Sequence, residues 1–179
     1  MKLRLFWAIK LDQKLQTTLP WLELKNLPLV AKWVKPEQLH MTLVFLGEVE
    51  QKQVPDLIAQ VRQKTEGFAP FELQINRLGF FPNAQQPRVF WAGLAGAVKN
   101  LRALQAQVLQ GVEAVGLPVE KRSFSPHLTL ARIKSLSGKI ESLPSLNLRW
   151  PVASLQLFSS QLTPQGSIYH LEAEIRGRQ

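Results

Sequence analysis

His40-Met41-Thr42-Leu43-Val44-Phe45-Leu46 opens a run whose first four positions return in kind as His127-Leu128-Thr129-Leu130. The chain has 3 His in 179 residues, so two of the three begin the same four-residue pattern. A single His-x-Thr would carry little weight, because β-branched Thr is a common strand residue. The repetition is what gives it weight. Its spelling is that of a strand, in which residues i and i+2 share a face. Each string therefore sets one imidazole beside one hydroxyl and turns Met41 and Leu43, or Leu128 and Leu130, the other way. Imidazole titrates nearest neutral pH, so a matched pair points to an acid and a base working together.

Outward from these strings, periodicity gives mixed elements. Leu3, Leu5, Trp7 and Ile9 alternate with Arg4, Phe6, Ala8 and Lys10, as in a half-buried strand. Residues 11–27 have helical character interrupted by Pro20, so that either a helix starts there or a turn intervenes. A short strand is predicted over 32–34, and the first motif strand over 39–46, ended by Gly47. Val54, Leu57, Ile58 and Val61 mark a helix within 51–65, with Gly67 as its stop signal. Strands are predicted over 71–78 and 88–94, then a long helix faced by Leu101, Leu104, Val108, Val112 and Val115 and ended by Gly116. The second motif strand spans 125–133, a Ser/Pro/Gly-rich connection 136–148, and two antiparallel strands 152–162 and 167–175 around Thr163-Pro164-Gln165-Gly166. Hairpin-like pairs mixed with helices indicate an α+β fold with antiparallel sheets. Similar signals recur in both halves, as two related lobes facing each other would give.

Composition narrows the setting. A chain of 179 residues, 45% hydrophobic and 20% charged, is that of an ordinary globular protein with a sizeable core. No run approaches the roughly 20 apolar residues of a membrane span, and the alternating N-terminus does not read as a signal peptide. Without Cys there is no disulfide, thiolate nucleophile or cysteine zinc site, and a cytoplasmic location is the default expectation. The net charge of +9 favours polyanionic partners such as RNA or nucleotides. Lys121, Arg122, Arg132 and Lys134 bracket the second motif.

His40-Met41-Thr42-Leu43-Val44-Phe45-Leu46-Gly47-Glu48-Val49 and Phe124-Ser125-Pro126-His127-Leu128-Thr129-Leu130-Ala131-Arg132 resemble the two signatures of the 2H phosphoesterases, closest to the RNA 2′,3′-cyclic phosphodiesterase (2′-5′ RNA ligase) family. The resemblance extends to Arg4-Leu5-Phe6-Trp7-Ala8-Ile9, to Pro87-Arg88-Val89-Phe90-Trp91 and to the closing Phe158–Tyr169 stretch with its Ser160-Gln161-Leu162. It implies one domain over 1–179, made of two intertwined, pseudo-symmetric lobes. Each lobe would be an antiparallel sheet backed by helices. One would carry 40–43 and the other 127–130, around a central groove. It further implies hydrolysis of RNA or nucleotide 2′,3′-cyclic phosphodiesters to 2′-phosphomonoesters, with reversible ATP-independent 2′-5′ RNA ligation as a side activity. His40 would be the proton donor and His127 the acceptor, with Thr42 and Thr129 donating to the phosphoryl oxygens. No cofactor and no metal are expected. The expected partners are RNA with a 2′,3′-cyclic phosphate end, tRNA fragments included, or small nucleotides, met by a monomer.

In the family, the positions of Phe45 and Arg132, each five residues after a motif His, contact substrate. Arg132 could hold phosphate and Phe45 could stack on a base. Strand parity objects, since five residues on is the opposite face unless a bulge or strand end intervenes. Core packing is the competing role for Phe45. His170 lacks a Thr two places on and reads as a solvated strand residue. The five Trp (7, 21, 33, 91 and 150) read mostly as core or rim. Two other functions stay open: a non-catalytic RNA- or nucleotide-binding protein on the same scaffold, and a 2H enzyme acting on another small cyclic nucleotide or on 2′-5′ oligonucleotides.

Overall fold

The computed structural model describes residues 1–119, 123–164 and 166–178. Lys121 and Arg122 beside the second motif, and Gln165 of the expected turn, lie outside the described residues. In chain order the elements are β1 (Lys2–Lys10), α1 (Gln13–Thr18), α2 (Trp21–Lys25), β2 (Leu29–Trp33), a 3-10 turn (Pro36–Gln38) and β3 (His40–Glu50). Then come a 3-10 turn (Gln51–Gln53), α3 (Val54–Lys64), β4 (Phe71–Phe81), β5 (Val89–Gly96) and α4 (Val98–Ala114). β6 (His127–Leu136), β7 (Leu148–Val152), β8 (Ser154–Thr163) and β9 (Gly166–Arg176) complete the chain.

The strands form two antiparallel sheets, one ordered β3-β1-β8-β9 and the other β2-β6-β5-β4-β7. The α+β expectation holds, and the two motif strands fall in different sheets. The sheets exchange chain segments: β2, from the first half, edges the sheet of β6, while β8 and β9 complete the sheet of β3. One cluster of buried apolar side chains spans both sheets, with Trp7, Trp150, Phe90 and Met41 fully enclosed. Each such side chain contributes roughly 1.5–3 kcal/mol by leaving water. α3 and α4 pack against each other at Gly111, where an added Cβ would stand 2.6 Å from Val61 Cα. Only a residue without a side chain lets the two backbones come so close.

Several boundaries differ from the sequence expectation. Pro20 separates two short helices and is the N-cap of the second. Gly47 does not end the first motif strand; it continues through a positive φ of 67° to Glu50. The stretch 136–148 is not wholly a connection, because Leu148–Val152 forms β7. That strand tolerates Pro151 because it is a sheet edge, paired only with β4, where a missing N–H is harmless.

Candidate active site

Each motif strand carries the same irregularity at the same place. Along β3, Thr42 pairs with Ala8 and Val44 with Trp7, leaving Leu43 as an extra residue. Along β6, Thr129 pairs with Trp91 and Ala131 with Phe90, leaving Leu130 as the extra one. A bulge of one residue resets the two-residue period. Leu43 and Val44 are both buried, as are Leu130 and Ala131, and the next residue returns to the face of the His. His40, Thr42 and Phe45 therefore share one face, and His127, Thr129 and Arg132 share another. This answers the parity objection: Phe45 is 40% exposed and does not pack into the core.

The two faces meet across one groove of about 430 Å³ that contains His40, Thr42, Phe45, His127, Thr129 and Arg132, every site residue expected from the sequence. The imidazoles are held alike. His40 Nδ1 lies 2.7 Å from the carbonyl of Gln38, and His127 Nδ1 lies 2.7 Å from the carbonyl of Ser125. A carbonyl only accepts, so each Nδ1 carries a proton and donates it, which leaves Nε2 for proton exchange. Aromatic rings fix the planes: Phe6 at 4.9 Å and Tyr169 edge-on at 5.3 Å for His40, Phe81 edge-on at 5.1 Å for His127. Burial pushes the His40 imidazole below its ordinary value. The Gln38 carbonyl pulls the other way, and the like charge of His127 adds to the lowering.

Beneath His127 and Thr129 the second sheet is laid in rows. Thr129, Trp91 and Gly79 are register neighbours across β6, β5 and β4. The Trp91 indole lies over Gly79, and Phe81 stacks on that indole at 5.0 Å. The support therefore runs from Gly79 through Trp91 and Phe81 to His127.

The groove also holds Arg4, Gln38, Ser160 and Tyr169, which the sequence reading did not assign to the site. Arg4 sets its guanidinium over the Phe45 ring at 5.1 Å, and Ser160 Oγ donates to the Arg4 carbonyl at 3.3 Å. The available signal was Ser160 within the Ser160-Gln161-Leu162 that the resemblance already marked. His170 is exposed on β9 and outside the groove, as expected. Among the described residues, no group of three or more His, Cys, Asp or Glu side chains converges as metal ligands would. No helix among them is long and apolar enough to cross a membrane.

Comparison with known proteins shows the family and the fold. A family model described as LigT like Phosphoesterase matches residues 21–91 and 94–169. A Thermus thermophilus protein named RNA 2′,3′-cyclic phosphodiesterase is 36% identical over 173 residues, covering 93% of this chain and 86% of the relative. A crystal structure of a Thermus thermophilus protein aligns with a TM-score of 0.78 at 34% identity, over 98% of this chain and 100% of that one. The crystal structure of E. coli LigT complexed with 3′-AMP shares the fold, with a TM-score of 0.79 at 24% identity over 100% of each chain.

Proposed function

Because this chain belongs to the LigT-like phosphoesterase family, we propose that it hydrolyses 2′,3′-cyclic phosphodiesters of RNA or nucleotides to 2′-phosphomonoesters, with His40 and His127 as acid and base. The observation that carries the reading is the pair of imidazoles delivered from separate sheets into one groove, each pinned through Nδ1. In-line displacement at phosphorus needs a base on one side and an acid on the other.

In the hydrolytic direction His127 Nε2 takes a proton from water, whose oxygen forms the new bond to phosphorus. The bond from phosphorus to the ribose 3′-oxygen breaks, and the Nε2 proton of His40 passes to that oxygen. The phosphate stays on the 2′-oxygen. Thr42 and Thr129 donate to the non-bridging oxygens, where charge builds in the transition state. Arg132 holds the phosphate and Phe45 the base. Burial works against a protonated His40. A phosphodiester anion beside it shifts the balance back toward the cation, the form a proton donor needs. Ligation is the same displacement with a 5′-hydroxyl in place of water. His127 takes the hydroxyl proton, the 5′-oxygen bonds to phosphorus, and His40 protonates the departing 3′-oxygen, leaving a 2′-5′ linkage. The histidine roles exchange only when that linkage is cleaved again.

The natural substrates in this reading are RNA ends bearing cyclic phosphate, including tRNA fragments, or small cyclic nucleotides, in the cytoplasm. The acting unit in this reading is a monomer, because one chain already brings both motif histidines and both threonines into the groove. The test is incubation with 2′,3′-cyclic nucleotides and RNA ends in excess EDTA, with products identified by phosphorus NMR. A 2′-phosphate is expected from the wild type, and neither His40→Ala nor His127→Ala should turn over. Turnover that vanishes with EDTA or survives in both variants would sink the mechanism, and binding without turnover would favour a non-catalytic role.

A further inference from the structure

A second basin opens off the groove at Arg132. It has about 440 Å³ and shares Gln38, Arg132, Ser167 and Tyr169 with the groove, but includes neither His40 nor His127. Its own lining includes Lys32, Trp33, Lys35 and Ile168. Resting on the reaction proposed above, we propose that this basin is a subsite for the phosphodiester and nucleoside on the 5′ side of the cyclic-phosphate nucleotide. It makes the protein a better catalyst for RNA ends than for mononucleotides.

Three observations carry this. The first is charge. Lys32 stands directly opposite Arg132 across β2 and β6, and both are exposed. Like charges in such a pair repel. Among the described residues, no ion pair involves Lys32, Lys35 or Arg132. The one acid in the adjoining turn, Glu37, lines a different depression with Lys10 and Lys35. A phosphate between the cations removes the repulsion.

The second is shape. Tyr169 stands in the basin with Ile168, held edge-on to Phe6 at 5.2 Å. Trp33 instead packs against Trp21 and the buried Phe90 in the register row of Ala131, on the opposite sheet face from Lys32. A fixed aromatic beside lysines is the combination that binds single-stranded nucleic acid through base stacking and backbone charge. The far wall is built in: Gln38 Nε2 donates to the Ser167 carbonyl at 2.7 Å, tying the start of β9 to the turn before His40. The third is direction. At the other end of the groove Arg4 lies over Phe45, and its register partner is Glu48. An RNA chain leaving the ribose O5′ toward the basin meets Lys32, Lys35 and Arg132 and no carboxylate among the described lining residues. The other end offers Arg4 and a Glu48 already paired with Lys2 at 4.0 Å.

The experiment compares a 2′,3′-cyclic mononucleotide with a short RNA oligomer ending in the same cyclic phosphate, for the wild type and Lys32→Gln/Lys35→Gln. Both lysines are exposed, so the substitutions spare the core. The double variant should lose about tenfold in kcat/KM on the oligomer, stay within about twofold on the mononucleotide, and show a log-log salt slope shallower by roughly 0.7 per lost phosphate contact. Equal losses on both substrates, no loss on the oligomer, or a loss confined to ligation of a 5′-hydroxyl strand would each overturn the subsite. If the wild type turns over neither substrate, the reaction assigned to the groove falls and takes the subsite with it. Mononucleotide turnover with an oligomer rate indifferent to the lysines removes the subsite alone.

Discussion

Replacing Gly79 by alanine drives a methyl group into Trp91, where an added Cβ would stand 2.4 Å from Cζ2 and 2.7 Å from Cη2. Carbon contacts are ordinary from about 3.5 Å, so the indole must lift by roughly 1 Å. It is not free to do so, with Phe81 stacked on it at 5.0 Å and Arg77 over its ring at 6.0 Å. Over-packing of this kind costs about 1–3 kcal/mol, and each kcal/mol lowers Tm by roughly 2–4 °C in a chain of this size. The displaced Phe81 meets His127 edge-on at 5.1 Å, so the shift reaches the base. A misplacement of about 1 Å at a reacting group costs up to ~10²-fold in rate. Gly111→Ala is the control. Its Cβ would meet the Val61 backbone at 2.6 Å, between α3 and α4 and away from the groove. Better helix propensity returns about 1 kcal/mol of that clash. Thermal melts and single-turnover rates on a cyclic mononucleotide, taken well below both transitions, should show both variants destabilised but only Gly79→Ala slowed. A Gly79→Ala protein with undiminished rate, or a Gly111→Ala protein slowed to the same degree, refutes the coupling of Gly79 to His127.

Other consequences can be measured independently. His40 has a folded-state pKa below its unfolded value of 6.5. As pH falls below 6.5 the unfolded state takes up the proton first, so folding stability drops until the folded-state pKa is passed. Urea melts at about pH 7.5 and about pH 5, on either side of the unfolded histidine pKa, should show this loss in the wild type and a smaller one in His40→Gln; equal losses refute it. Thr42→Val and Thr129→Val should each lower kcat by roughly 10²-fold with little change in KM, and a change confined to KM would mean ground-state binding instead. Arg132→Gln removes a charge-assisted contact and should raise KM by about 10–100-fold; an unchanged KM would place the phosphate elsewhere.

The histidine pair, its threonines and the α+β class were legible because they rest on short-range periodicity and residue type. The shared face of His40, Thr42 and Phe45 was not, because strict alternation fails at the bulge. Its trace was in plain view: the doublets Leu43-Val44 and Leu130-Ala131 break the apolar-polar rhythm at matching places. β7 went unread because Trp150-Pro151-Val152 offers no alternation, and the strand exists only through its pairing with β4, far away in the chain. Arg4, Ser160 and Tyr169 come together by the pairing of β1 with β8 and of β8 with β9. No local pattern encodes such contacts. The basic flank was half legible, since Arg132 faces the groove while the charges that join it in the basin, Lys32 and Lys35, come from β2 and the turn that follows.

The pairing of β1 with β8 also sets an order of events during synthesis. β1 buries five consecutive residues, Leu5 to Ile9, between β3 and β8, yet β8 leaves the ribosome long after β3 does. In the interval a nascent chain can hold the antiparallel β1–β3 pair but presents an open, apolar strand edge, the kind that captures other chains. Closing that edge is a late, long-range event, slow for its loop length. A chain stopped at Ala153 would carry both histidines and both threonines in its sequence while lacking the wall that holds Ser160 and Tyr169. The histidines are encoded early and in the middle, but the groove exists only once the last hairpin has closed.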